Sequence, residues 1–309
     1  MNVNKKYKDS VFTLLFGHDT EVLRELYGAL EGTTIPKEVN IKIDTLEDAI
    51  FMDRMNDVSF EIGDKLVVLI EHQSTINPNM ALRMLLYISR IYEKIINSME
   101  FGKDEIYSEH QIKIPRPEFI VLYNGTDWYP DESLMRLSES FPEGMPLKVS
   151  AGLHESEYPS LEITVKIFNI NQGHNNDIIL RSQNLTGYSA LVEKVREYRE
   201  DLKSELGVSK LDDAGKAETM KKAVQWCIKN NKLKDFLLEH GSEVINMLIA
   251  EWNWDDAKYV WQKEAGEDAR RQAREEDIGI MLKYGITPEN ISKELKMPLE
   301  VITNLGRRN

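Results

Sequence analysis

Asp57, Glu71 and Gln73 are the residues whose types and spacing invite chemistry. An Asp and a Glu offer hard oxygen donors of the kind Mg²⁺ prefers, and an amide two residues beyond the Glu can orient a water by hydrogen bonding. Such a set, converging on a phosphodiester, is what metal-assisted hydrolysis of that bond requires. Taken alone, two acids at strand ends are ordinary surface groups. Glu71, however, closes the apolar run Val67-Val68-Leu69-Ile70, where a charge is costly unless it is paired or coordinates a metal. Glu71 and Gln73 stand two apart on one strand and share a face, while His72 points the other way and can offer an ion only its backbone carbonyl. Whether Asp57 joins that face depends on the turn. Pairing Asp57 with Glu71 also pairs Ile62 with Leu66, which requires the three-residue loop Gly63-Asp64-Lys65 or a longer odd one; a two-residue loop separates the carboxylates.

The elements that must position these residues are legible around them. Residues 19–31 repeat Val22, Leu23, Leu26, Tyr27 and Leu30 at helical spacing, with Asp19 or Thr20 as the cap. Val39, Ile41 and Ile43 alternate with polar neighbours as a half-buried strand does, and VSFEIGDKLVVLIEHQS reads as a hairpin. Asn77 and Pro78 open a helix that runs to Asn97 and is apolar on most sides, and Phe119 to Tyr123 forms a short strand closed by Asn124-Gly125. The order is α, β, β, β, α, β. LEITVKIFNI (161–170) is a further strand candidate for the same sheet. From Gly187 onward the pattern is helical, with breaks near Gly207, Asn230-Asn231 and Gly241 and an alternating-charge connecting helix over 263–277.

Arg83, Tyr87, Arg90 and Lys94 fall at i, i+4, i+7 and i+11 of the helix after Gln73, a stripe able to meet DNA phosphates or simply to form that helix's polar face. The net charge of −13 excludes a protein that coats nucleic acid nonspecifically, so any DNA contact is local. The start of the chain has no small-residue cleavage site and no later apolar run approaches membrane-spanning length, so a cytoplasmic protein without membrane contact is expected. A single cysteine, Cys227, excludes an intramolecular disulfide and reads as a small core hydrophobe. Trp252, Trp254 and Trp261 read as core or interface residues.

NDVSFEIGDKLVVLIEHQSTINPNMALRMLLYISRIYEK resembles the recombination-promoting nuclease (Rpn) family, also called PD-(D/E)XK nuclease family transposases. The resemblance rests on Asp57, the Glu71-His72-Gln73 triplet and the segment Ser74 to Arg83. It continues through FIVLYNG (119–125), LEITVKIFNINQGHN (161–175), NLTGYSALVEKVRE (184–197) and EHGSEVINML (239–248). It implies an α/β fold, with a restriction-endonuclease-like αβββαβ core of mixed sheet flanked by helices, then an α-helical C-terminal region. It implies Mg²⁺-dependent DNA cleavage, with Mn²⁺ as a substitute, in recombination, mobile-element or defence processes. Asp57 and Glu71 would be metal ligands, the His72 carbonyl would complete the shell, and Gln73 stands where the superfamily often has lysine. Glutamine orients by hydrogen bonding but carries no charge, so slow catalysis or help from a cation elsewhere follows. Asp19 and Glu25 are candidates for an additional first-helix acid. The alternative is a DNA-binding regulator on a weakly active or inactive nuclease fold.

These readings divide the chain into a nuclease domain (1–185), a helical region (186–275) and a small helix-turn-helix-like unit (276–309), with homo-oligomerisation through the 263–277 helix as a further expectation. In that last unit Thr287 and Pro288 start a short helix to Leu295, and Ile291, Leu295, Leu299, Val301 and Leu305 are its expected core.

Overall fold

A computed structural model describes residues 10–44, 57–71, 77–100, 102–142 and 160–295, with 297, 299 and 302; the side chains of Asp44, Asp57, residues 68–71, Lys103, Glu105 and residues 254–276 lie outside that description. Helices α1 (Val11–Phe16) and α2 (Thr20–Leu30) come first. Asp19 caps α2 as expected, its carboxylate accepting from the amides of Glu21 at 2.7 Å and Val22 at 3.3 Å. Three strands follow, β1 (Ile41–Asp44), β2 (Asp57–Ile62) and β3 (Lys65–Glu71), and then α3 (Met80–Asn97) and β4 (Arg116–Tyr123). The α, β, β, β, α, β order read from the pattern is present from α2 onward. β5 (Glu132–Arg136) and β6 (Thr164–Asn169) complete one six-stranded mixed sheet in the order β1-β2-β3-β4-β6-β5.

β1, β2 and β3 pair antiparallel, β4 runs parallel to β3, β6 runs parallel to β4, and β5 closes the edge antiparallel to β6. The β3-to-β4 crossover is α3, as a parallel pair requires. α3 buries Met84, Tyr87, Ile88 and Ile91 in a core with Leu66, Phe119, Val121, Val165 and Ile167 on one sheet face. On the other face α2 approaches: Tyr27 meets Phe60 edge-on at 5.8 Å, and its hydroxyl reaches Glu118 of β4. α3 departs from the sequence reading in two ways. It starts at Met80 with Asn79 as cap, because Asn77 turns its side chain back onto the Asn79 amide at 2.9 Å. It is also one-faced rather than buried all round, since Leu82 and Leu86 are exposed.

Beyond the sheet lie α4 (Asn176–Arg181), α5 (Gln183–Leu206), α6 (Asp213–Lys229), α7 (Lys234–Lys283) and α8 (Pro288–Leu295). The expected breaks occur at Gly207, which caps α5 in the left-handed region, and after Lys229, where Asn231 and Leu233 take positive φ. The break expected at Gly241 does not occur, and α7 runs through it. A helical glycine costs about 1 kcal/mol, and burial of Leu237, Val244 and Leu248 around it offsets that cost. The chain divides into two compact units, 1–250 and 251–309. The second has its own small core of Ile278, Ile291 and Ile302, with Leu295 packed against it. Leu299, expected inside, is 42% exposed, and Ile302 takes the buried place, one residue out of the anticipated phase; Val301 and Leu305 lie outside the described residues. Among the described residues no helix is long and apolar enough to cross a membrane.

Candidate functional site at the carboxyl end of the parallel strands

Gly63 and Asp64 alone form the hairpin turn, and Ile62 faces Lys65 across it. Gly63 has φ +60°, the backbone state that a two-residue hairpin turn demands at its first central position, so no third loop residue is needed. The three-residue loop is therefore corrected. Asp57 lies opposite Ile70, and Glu71 is one step further along. Strand positions 57 and 71 thus end neighbouring strands at the same edge of the sheet but carry opposite parity in the ladder. The common face assumed for them is not what the register gives. His72 and Gln73 lie outside the described residues.

Donor chemistry and register pull apart here. An Asp, a Glu, a backbone carbonyl and an amide are all oxygen donors of the class Mg²⁺ takes. For the two carboxylates to reach one ion, the ladder has to break at a strand end, and both residues are strand-terminal. Of the first-helix acids, Asp19 is occupied in capping α2, and Glu25 accepts from the Asn184 amide and side chain at 3.4 Å each.

The α3 stripe does not act as one surface. Tyr87 is 4% exposed inside the α3 core, so it cannot meet DNA, which corrects that assignment. Arg83 and Arg90 are half-buried and Lys94 is exposed. Arg83 also lies against the Met80 sulfur at 3.4 Å.

A polar platform absent from the sequence reading lies at the same sheet edge. β3, β4 and β6 run parallel, with Glu71 level with Leu122 and Leu122 level with Phe168. Their carboxyl ends lead into Asn124, Asn169 and the 124–131 loop. Asn169 donates to the Tyr129 carbonyl at 2.9 Å, Asn171 to that of Gly125 at 3.0 Å, and Asn175 to that of Asp131 at 2.5 Å. Arg196 of α5 donates to the Asn124 carbonyl and, at 2.8 Å, to the Asn171 side chain. Asparagine repetition in NINQGHNN is the signal in the sequence that marks this platform.

A second unforeseen cluster sits at the turn end of β3. Glu118 accepts from Lys166 at 2.5 Å, Tyr27 at 2.7 Å and Lys65 at 3.0 Å, and Glu31 reaches Lys166 at 3.3 Å and Lys65 at 3.5 Å. Burial alone raises the Glu118 carboxyl, but the hydrogen bonds from Lys166, Tyr27 and Lys65 outweigh it and hold it at about 2. Burial and then the hydrogen bond to Glu118 push the Tyr27 phenol far above its usual range. Tyr27 therefore stays protonated as a donor. The cluster is internally compensated and ties α2 to three strands. Cys227, elsewhere, is buried, and its thiol is pushed up to about 12 by burial, in keeping with a core role.

Residues 38–187 match the model of the family described as "Putative transposase, YhgA-like". No curated protein and no solved structure matches the chain. The matched segment holds β2, β3, α3, β4 and β6, on which much of the family resemblance rests, and it ends within α5; most of 184–197 and all of 239–248 lie beyond it. Over residues 38–187 the chain is similar to the YhgA-like putative transposases.

Proposed function

We propose that this protein acts on DNA as a metal-dependent endonuclease, in the transposition-related setting that the family description names. The observation that supports it most directly is that Asp57 and Glu71 terminate adjacent strands of the central hairpin at one sheet edge. The element order through β4, with a hairpin, a crossover helix and a parallel strand, agrees with a restriction-endonuclease-like core. A bound Mg²⁺ would supply charge neutralisation at the phosphate and a water of lowered pKa. Asp57, Glu71 and the His72 carbonyl would hold it. Gln73 would orient the attacking water through its amide, and, having no titratable group, it would leave the proton for another acceptor. Mg²⁺ or Mn²⁺ should support nicking of supercoiled plasmid, and Asp57→Ala and Glu71→Gln should each abolish it with an unchanged circular dichroism spectrum. Full cleavage by either variant would remove the assignment.

The register favours a second reading. With positions 57 and 71 of opposite parity, an uninterrupted ladder holds no shared ion, and the protein would be a DNA-binding regulator on a nuclease-like fold. Calorimetric titration separates the two: wild type that binds DNA but takes up no Mg²⁺ is the regulator.

A further inference from the structure

We propose that the 124–131 loop is a nucleobase-binding element, with the indole of Trp128 as the surface on which an unpaired DNA base stacks. The proposal rests on the reading that the protein acts on DNA, and it names the form of DNA recognised. Trp128 is 84% exposed. Indoles are ordinarily buried on at least one face, and an exposed one on a soft loop would fold down onto nearby apolar surface.

This loop is not soft. Its carbonyls are tied inward one after another: Asn124 by Arg196, Gly125 by Asn171, Asp127 by the Tyr123 hydroxyl at 2.7 Å, Tyr129 by Asn169, and Asp131 by Asn175. The Tyr129 ring is packed against Tyr123 with centroids 4.8 Å apart. Trp128 thus sits between two anchored residues and is held out into solvent by the backbone on either side. A loop whose backbone is already anchored loses little further backbone entropy when a partner arrives.

Location and charge select the partner. The loop leaves β4 directly after Tyr123, and Leu122 lies level with Glu71 in the register, so the indole and the candidate hydrolytic position occupy the same sheet edge. Asp127, Asp131 and Glu132 outnumber Arg196 and His174 here, and His174 is already engaged with Asp131. An acid-rich loop does not attract a phosphate backbone. The face of a base carries no such penalty, and stacking on an aromatic side chain tolerates any sequence. The preferred DNA is therefore single-stranded, gapped or bulged, not perfect duplex.

The full-length protein should be titrated, with Ca²⁺ in place of Mg²⁺, into fluorescein-labelled single-stranded and duplex oligonucleotides of one sequence, followed by anisotropy. Trp128→Ala should weaken single-strand binding roughly 5- to 150-fold, the range expected for one stacked base. Trp128→Phe should recover most of it, and duplex affinity should stay within about twofold, well under the loss of one stacked base. Wild type and Trp128→Ala binding single strands equally would overturn the proposal and leave the DNA-acting reading intact. Equal losses on both DNA forms, or a drop in particle mass by light scattering on substitution, would also overturn it, the latter by showing that the indole joins copies of the chain. Wild type binding no DNA of either form would overturn both this proposal and the reading beneath it.

Discussion

Replacing Glu118 by Gln probes the charge cluster that joins α2 to β3, β4 and β6. The Glu118 side chain is 12% exposed, between Lys65 at 22% and Lys166 at 41%. A carboxyl lowered from 4.5 to about 2 favours the folded state by about 3 kcal/mol, at roughly 1.36 kcal/mol per tenfold. Solvent screening at Lys166 reduces that to about 2 kcal/mol. Glutamine keeps the shape and one acceptor but removes the charge, leaving two ammonium groups compensated by Glu31 alone. Urea unfolding near pH 7, followed by far-ultraviolet circular dichroism, should therefore show a loss of about 2 kcal/mol. The folded carboxyl titrates below the unfolded one, so its stabilisation is complete above about pH 4.5 and drains away as pH falls toward 2. The penalty of the substitution should shrink across that window and be less than half as large at about pH 3. A penalty under about 0.5 kcal/mol near pH 7, or one unchanged in acid, would refute the reasoning, because a surface pair behaves that way.

Gly187→Ala should destabilise by about 1–3 kcal/mol in the same unfolding assay, since a Cβ there would meet the Leu233 side chain at 2.5 Å. Arg196→Met should lower the unfolding free energy by about 2–4 kcal/mol, the scale of two hydrogen bonds from a charged donor, and open the 124–131 loop; the largest rise in amide hydrogen exchange, falling in that loop, is the readout. Cys227 should resist a thiol reagent in the native protein near pH 8 and react at once in denaturant; rapid native labelling would contradict its burial and its thiol at about 12.

The edge strand β1 and the central strand β3 were legible because their residues carry the signal in their own order. Val39, Ile41 and Ile43 alternate, and the run from Leu66 to Ile70 is apolar throughout, as a strand covered on both sides must be. β5 was not legible. ESLMR is an edge strand whose burial alternates only weakly, with no β-branched residue to mark it. The hairpin turn was located correctly but counted wrongly, and that one residue changed the parity of Glu71 against Asp57. Tyr87 shows the same limit on a helix, since spacing placed it with Arg83 and Arg90 while the sheet claimed it for the core. The polar platform escaped because its members come from β4, β6, α5 and the loops between them, and only the folded placement of α5 brings Arg196 to Asn124 and Asn171.

The bond between Lys166 and Glu31 spans 135 residues, and that between Tyr27 and Glu118 spans 91. A ribosome adding about 5–20 residues per second releases Glu31 on the order of ten seconds before Lys166. Until Glu118 is made, α2 has neither its acceptor on β4 nor its cation on β6 and the hairpin has no parallel neighbour; from then until Lys166 follows, the cation on β6 is still missing. A nascent chain shorter than about 170 residues therefore lacks the β6 strand and its Lys166 cation, so assembly waits on late synthesis. Whatever depends on the complete sheet is withheld until more than half of the polypeptide has been made.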